Sequence, residues 1–152
     1  MFESINTNVC KKNEFTPEEI EYFNTILQYK EVPKKTLLLQ EGEICNFEAY
    51  ILKGCIRKYY INENGFEVII QFAVEDWWIS DITSFHEKNP SKLFIETLED
   101  CQLLILKPET VMLEVDVALN PKSTRSVWPA VMVPDDKPPV KAAKVKLVLF
   151  KL

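Results

Sequence analysis

The sequence predicts a mainly β protein, with a small antiparallel β-barrel over about Pro33 to Pro108 and one helix ahead of it. Three observations carry this. Four short apolar runs follow one another between Thr36 and Ala73, separated by Gly42, Gly54 and Gly65, which are all three glycines of the chain, spaced 12 and 11 residues apart. Strands reversing at such regular intervals are the pattern of consecutive hairpins in a barrel or sandwich. One strong helix start, Thr16-Pro17-Glu18-Glu19, stands before them. The composition, 47% hydrophobic and 27% charged over 152 residues, is that of a globular domain long enough to bury a proper core.

In chain order, Met1 to Glu14 is polar and carries no apolar block. At the helix start Thr16 is placed to cap, Pro17 suits the first helical position and Glu19 closes a capping box. Ile20, Phe23 and Leu27 then recur at helical spacing, and the helix is expected to end near Tyr29, ahead of Pro33. The runs Leu37 to Leu39, Phe47 to Leu52, Cys55 to Ile61 and Phe66 to Ala73 are the expected strands. Asn64-Gly65 reads as a two-residue hairpin turn, a geometry that requires positive φ at both central positions. After Trp77-Trp78, a short helix over about Ser80 to Lys88 is expected, with Ser80 or Asp81 as its cap. Strands over Leu93 to Leu98 and Cys101 to Leu106 follow, joined at Glu99-Asp100, and Pro108-Glu109 reads as a further helix start. Beyond about Leu113 the text turns to Lys, Val and Pro, with five of the nine prolines between Pro121 and Pro139. Interior prolines at about 3 kcal/mol each exclude a long helix there. Lys144 to Phe150 alternates like an edge strand. The expected organisation is a helical segment over 1–32, the barrel over 33–112 and a divergent tail over 113–152.

Charge and motifs remove several functional classes. Met1 to Pro108 holds 11 Lys and Arg against 18 Asp and Glu, a net of -7, while the remainder is +2. An acidic body argues against nucleic-acid binding, which needs clustered cations. Arg57 and Arg125 are the only arginines, so bidentate reading of guanine is nearly unavailable. Lys34-Lys35 and Arg57-Lys58 read as solvated faces. The cysteines, Cys10, Cys45, Cys55 and Cys101, show no CxxC spacing, so they read as reduced thiols, three of them in strand-like text. His86 is the single histidine, too few for a zinc or cupin-type centre. GxSxG, HExxH and phosphate-loop motifs are all missing. No catalytic residue, metal or cofactor is expected, and the protein reads as a sensor or binding module, not an enzyme. With no signal peptide and no membrane-length apolar run, the expected location is the cytoplasm.

Taken in order, the capped helix, EGE at Glu41 to Glu43, LKG at Leu52 to Gly54, a strand ending YYINENG, and FAVEDWWISDITSF resemble the sensor domain of Crp/Fnr-type transcription regulators. The resemblance covers roughly Phe15 to Val111. It implies a double-stranded β-helix, or jelly-roll, with a short helix inserted before the last two strands. In family members that bind cyclic AMP, a Glu in this insert accepts hydrogen bonds from the ribose, and about ten residues later an Arg followed by Ser or Thr holds the cyclic phosphate. Aligned without a gap from Ile79, the first step reads Ser80-Asp81-Ile82 and the phosphate pair reads Ser91-Lys92. The candidate ligand pocket is therefore Trp78, Ser80, Asp81, Ile82, Thr83, Ser91 and Lys92. Asp81 is a methylene shorter than the expected Glu. Ser91 replaces the phosphate-binding Arg, and a buried phosphate without its cation typically costs about 3–5 kcal/mol, roughly 10²–10⁴ in affinity. Lys92, one residue on along a strand, is expected to point outward. The barrel is thus expected without tight cyclic-nucleotide binding.

The family also continues with a dimerisation helix and a winged helix-turn-helix, which the composition after Glu109 does not fit. A truncated regulator, a frame-disrupted one or a stand-alone barrel are the readings left, and the abrupt compositional shift favours the first two. The expected partners are an unidentified small-molecule effector and a second copy of the chain; neither DNA nor a membrane is an expected partner of this chain alone. A protein-interaction barrel with no small ligand is the alternative.

Overall fold

The computed structural model describes residues 1–11 and 14–107. The Pro-rich tail, the helix start at Pro108-Glu109 and the edge strand expected over Lys144 to Phe150 lie outside the described residues. Helices α1 (Glu3–Cys10) and α2 (Pro17–Ile26) come first. Strands β1 (Gln28–Val32), β2 (Leu37–Leu39), β3 (Glu48–Lys53), β4 (Ile56–Ile61), β5 (Glu67–Ala73) and β6 (Trp78–Ile79) follow. Helix α3 (Ile82–Glu87) then precedes β7 (Phe94–Thr97) and β8 (Cys101–Leu106).

The strands form two four-stranded antiparallel sheets, ordered β1-β8-β3-β6 and β2-β7-β4-β5, in a mainly β, jelly-roll-like arrangement. Between them lies the barrel core, built from Leu39, Ala49, Ile51, Ile56, Ile79, Ile95, Leu103 and Ile105 with their neighbours. A second apolar cluster covers the outside of the first sheet. There Ile5 and Val9 of α1 and Phe23 and Ile26 of α2 pack with Tyr50, Leu104 and Leu106. Consecutive strand residues face opposite sides, so β3 and β8 are buried on both faces and read as continuous apolar text rather than as alternation.

Helix α2 begins as its sequence dictates. The Thr16 hydroxyl accepts from the Glu19 amide at 3.3 Å and the Glu19 carboxylate accepts from the Thr16 amide at 2.8 Å, the reciprocal capping box. It ends at Ile26, not near Tyr29, because Gln28 to Val32 pairs with β8, Gln28 opposite Ile105 and Val32 opposite Cys101. The polar stretch at the N-terminus holds a helix that periodicity did not announce. α1 is fastened to the turn before β6: Ser4 hydrogen-bonds both Tyr50 and Asp76, and the Asn8 side-chain amide donates to the Asp76 carbonyl at 3.2 Å.

The glycine turns fall where expected. The hairpin between β4 and β5 differs in type, however. Gly65 alone has positive φ (81°), Gly65 N donates to Asn62 O at 2.9 Å, and Asn62 N donates to Phe66 O at 2.9 Å. This is the three-residue loop with glycine in the left-handed position rather than a two-residue turn, and Asn62 Oδ1 adds bonds from the Asn64 and Phe66 amides. Gly54 is the more demanding position. Its φ is +101°, and a Cβ there would lie 2.7 Å from Cys101 Sγ and 2.9 Å from the Asp100 carbonyl. All four cysteines are free thiols, and only Cys101 lies within a strand; Cys45 and Cys55 stand in connections.

Candidate functional site

Asp81 is the residue around which the inserted segment closes. It caps α3, its Oδ1 accepting from the Ser84 amide at 3.2 Å, while Oδ2 accepts from the Ser91 hydroxyl at 2.6 Å. Ser91 is buried and tied on every side. Its amide donates to the Glu43 carbonyl at 2.7 Å, its carbonyl accepts from Gly42 at 2.8 Å, and its hydroxyl accepts from the Leu93 amide at 2.9 Å. The EGE turn thus holds Ser91 in position, and Ser91 holds Asp81. Ser80 is also buried, its hydroxyl donating to the Phe47 carbonyl at 3.1 Å and lying 3.6 Å from Cys45 Sγ. Cys45 N donates to the Ser84 hydroxyl at 2.9 Å, which closes the network.

Three of the sequence-derived candidates, Ser80, Asp81 and Ser91, are therefore brought together. The other four are not. Trp78 sits on the helix-covered outer face of the first sheet, edge-on to Tyr50 at 5.2 Å, with its indole N–H donating to Asn8 Oδ1 at 3.3 Å. It docks α1 and does not line the network. Ile82 and Thr83 are exposed on α3, because Ser84 and Phe85 are the residues that this short helix turns inward. Lys92 is exposed, in the bend that precedes β7 rather than on a strand as expected.

The structure also supplies a residue that the sequence reading assigned to solvent. Arg57 and Lys58 are not a solvated pair. Arg57 lies on the outer face of β4, where its guanidinium bridges Glu67 at 2.6 Å and Glu96 at 2.7 Å and covers the Tyr59 ring at 4.3 Å. Lys58 faces the other way, the side of β4 on which Ile56 enters the barrel core. Its ammonium donates to the Ser80 carbonyl at 3.2 Å. Burial lowers its pKa from the ordinary lysine value, and the nearby Asp81 carboxylate works in the opposite direction. Alternation was the available signal, since two neighbouring cations on a strand cannot both face water.

The site thus gathers one ammonium, one helix-capping carboxylate, three hydroxyls and a thiol. Such a set has hydrogen-bonding groups of both kinds, donors and acceptors. Among the described residues no helix is long and apolar enough to cross a membrane.

Comparison with known proteins places this geometry. Residues 29–113 match the family described as the cyclic nucleotide-binding domain. No curated protein matches the chain. Among solved structures, a cyclic nucleotide-binding domain from Methylobacillus flagellatus superposes with a TM-score of 0.73 at 20% identity, over 99% of this chain and 74% of that one. The catabolite activator protein of Thermus thermophilus gives 0.61 at 16% identity, over 70% of this chain and 48% of that one. The N-terminal domain of a transcriptional regulator from Streptomyces coelicolor gives 0.61 at 15% identity, over 75% of this chain and 82% of that one. The chain spans about half the length of the catabolite activator protein it matches. At these identities the structural likeness is one of fold. The family match covers more than half of the chain and includes both sheets and the Asp81–Ser91 pair, so this chain belongs to the cyclic nucleotide-binding domain family.

Proposed function

We propose that this chain is the sensor domain of a Crp/Fnr-type transcription regulator, and that its effector is a small molecule other than tightly bound cyclic AMP. The observation that carries this reading is the 2.6 Å hydrogen bond from Ser91 to Asp81. By resemblance these are the phosphate and ribose positions of the nucleotide cassette. Here they close on each other, with no guanidinium between them and with Lys92 outside. A cyclic phosphate at this point would lack the bidentate guanidinium that the cassette normally supplies, and losing such a partner costs about 3–5 kcal/mol. The domain acts by binding and not by catalysis. It works in the cytoplasm, and contact with DNA belongs to a reader domain rather than to this acidic body. Titration calorimetry with cyclic AMP is expected to show no binding tighter than millimolar. Micromolar affinity would overturn the reading.

A second reading, a protein-interaction barrel with no small ligand, draws support from the outer part of β5, where Ile70 and Phe72 are about half exposed and Phe66 in the preceding turn is 69% exposed. Mass spectrometry of the native protein separates the two. A small molecule retained on purification supports sensing, and a bare chain that captures a folded partner supports interaction.

A further inference from the structure

Among the described residues the two sheets end in four edge strands, and the four are not alike. An edge presents unpaired backbone groups to any strand that meets it, and proteins blunt such edges by keeping them short or by placing charges on them, lysine above all. Three edges follow this rule. β2 has three residues and is entered through the exposed Lys34 and Lys35, β6 has two residues, and β1 carries Lys30 and Glu31 exposed. β5 does not follow it. It has seven residues, pairs with β4 on one side only, and contains neither lysine nor proline. Its one irregularity is at Ile70, which has no partner on β4 and turns an isoleucine toward solvent. Phe72, opposite Arg57, and Ile69, opposite Tyr59, share the outer face of the sheet with those residues. The charged groups of that face, Arg57, Glu67 and Glu96, are already bridged to one another.

We propose that β5 is an interface on which a second copy of this chain pairs, antiparallel about a two-fold axis at Ile70, so that the β2-β7-β4-β5 sheets of the two copies join. This surface belongs to the barrel itself and is distinct from the dimerisation helix that Crp/Fnr-type regulators carry after it. Ile61, Phe66, Ile69, Ile70, Phe72 and Val74 are each between 42% and 69% exposed. Their exposed surface is on the order of 500 Å², while a standard interface takes about 800 Å² from each partner, about 65% of it apolar in homodimers. The patch therefore matches what one half of such a dimer contributes. The strand is also complementary to itself. About Ile70, Val68 falls opposite Phe72 of the copy and Glu67 falls opposite Ala73, so no like charges meet. The two Glu67 carboxylates then stand about 20 Å apart along the strand, at about 3.3 Å per residue, beyond the screening length of about 8 Å at physiological salt. With Ile70 at the axis, the ladder runs in two halves on either side of the irregularity, and the two Ile70 side chains meet at its centre. A foreign strand would need a matching pattern of its own, which a copy brings by symmetry. The pairing holds with or without a bound effector.

The test is sedimentation velocity of the full chain at micromolar concentrations, with amide hydrogen exchange read alongside. The wild-type chain is expected to sediment as a dimer, and the β5 amides not bonded to β4 are expected to gain protection as protein concentration rises. Ile70→Lys sets two ammonium groups face to face at the axis and is expected to weaken association at least about a hundredfold. Phe72→Lys is expected to weaken it at least about tenfold. Leu37→Lys, at an exposed position on the far edge strand β2, is expected to leave it unchanged. Circular dichroism identical to that of the wild type shows that the variants are folded. Should both β5 variants fail to fold, the wild-type exchange decides: protection that grows with concentration upholds the pairing, and protection that does not overturns it. A dimer that survives both Ile70→Lys and Phe72→Lys lies elsewhere on the chain and overturns the proposal. Larger open assemblies overturn the two-fold arrangement. A wild-type monomer whose outward β5 amides are protected shows the strand covered by residues 108–152 of the same chain, and a monomer with those amides unprotected leaves the edge to a foreign partner; either result overturns the pairing of copies.

Discussion

Glu48 lies on the helix-covered face of β3, two residues before Tyr50, and is 1% exposed. Neither of its carboxyl oxygens has a hydrogen-bond partner, and burial pushes its pKa from the ordinary 4.5 to about 7. A carboxyl whose folded value is raised binds its proton more tightly in the native state than in the unfolded chain. Below pH 4.5 both states are protonated and the group carries no ionisation penalty. Between pH 4.5 and 7 the unfolded chain releases the proton first, so stability falls as pH rises. Above pH 7 the native state must hold a buried, unpaired carboxylate, and the full penalty is roughly 3 kcal/mol at about 1.4 kcal/mol per pH unit of displacement. Glu48→Gln keeps the shape and removes the ionisation. Urea unfolding of the two chains, followed by circular dichroism, is expected to show the stability difference growing in favour of Glu48→Gln by roughly 3 kcal/mol between pH 4 and pH 8. Other groups, such as Asp76 with its pKa lowered by the Ser4 and Tyr50 hydroxyls, cancel in the difference between the chains. A difference that stays constant across this range would show that Glu48 is not protonated by burial.

Gly54→Ala is expected to cost about 2–4 kcal/mol, because it combines strained positive φ with a close approach to the backbone at Asp100, whereas Gly65→Ala, with positive φ in open space, is expected to cost only about 1–2 kcal/mol. Denaturation midpoints of the two variants would decide this, and equal losses would contradict the contact argument. Thr16→Ala removes one half of the capping box and is expected to destabilise the chain by about 1 kcal/mol in the same assay. A gel shift at moderate salt is expected to show no preference of this chain for a promoter fragment over random duplex, given the net charge of -7 over Met1 to Pro108.

What the sequence by itself determined is local. The start of α2 is legible because the capping bonds span three residues, from Thr16 to Glu19. The reversals at Gly42, Gly54 and Gly65 are legible because positive φ at each position selects glycine. A cap for α3 at Ser80 or Asp81 follows from the same short-range chemistry, and the structure takes Asp81. The tertiary structure decided everything that depends on a distant partner. Gln28 to Val32, exposed at four of its five positions, has no strand pattern of its own and becomes β1 only by pairing with β8. Helix α1 takes its place from the Asp76 turn and the Tyr50 face far along the chain. Trp78 was assigned to a ligand pocket on motif grounds, and only the packing of α1 shows which sheet face it occupies. Lys58 was hidden for the same reason. Alternation says that one member of the Arg57-Lys58 pair points inward, but which one depends on the side of β4 that meets the core, and that choice is made by Ile56, which shares the core with Ile95 and Ala73 of its own sheet and with Ile51 and Leu103 of the other. Short-range hydrogen bonds leave their mark within a few residues, while the facing of a strand is set by the sum of contacts that it makes with the rest of the fold.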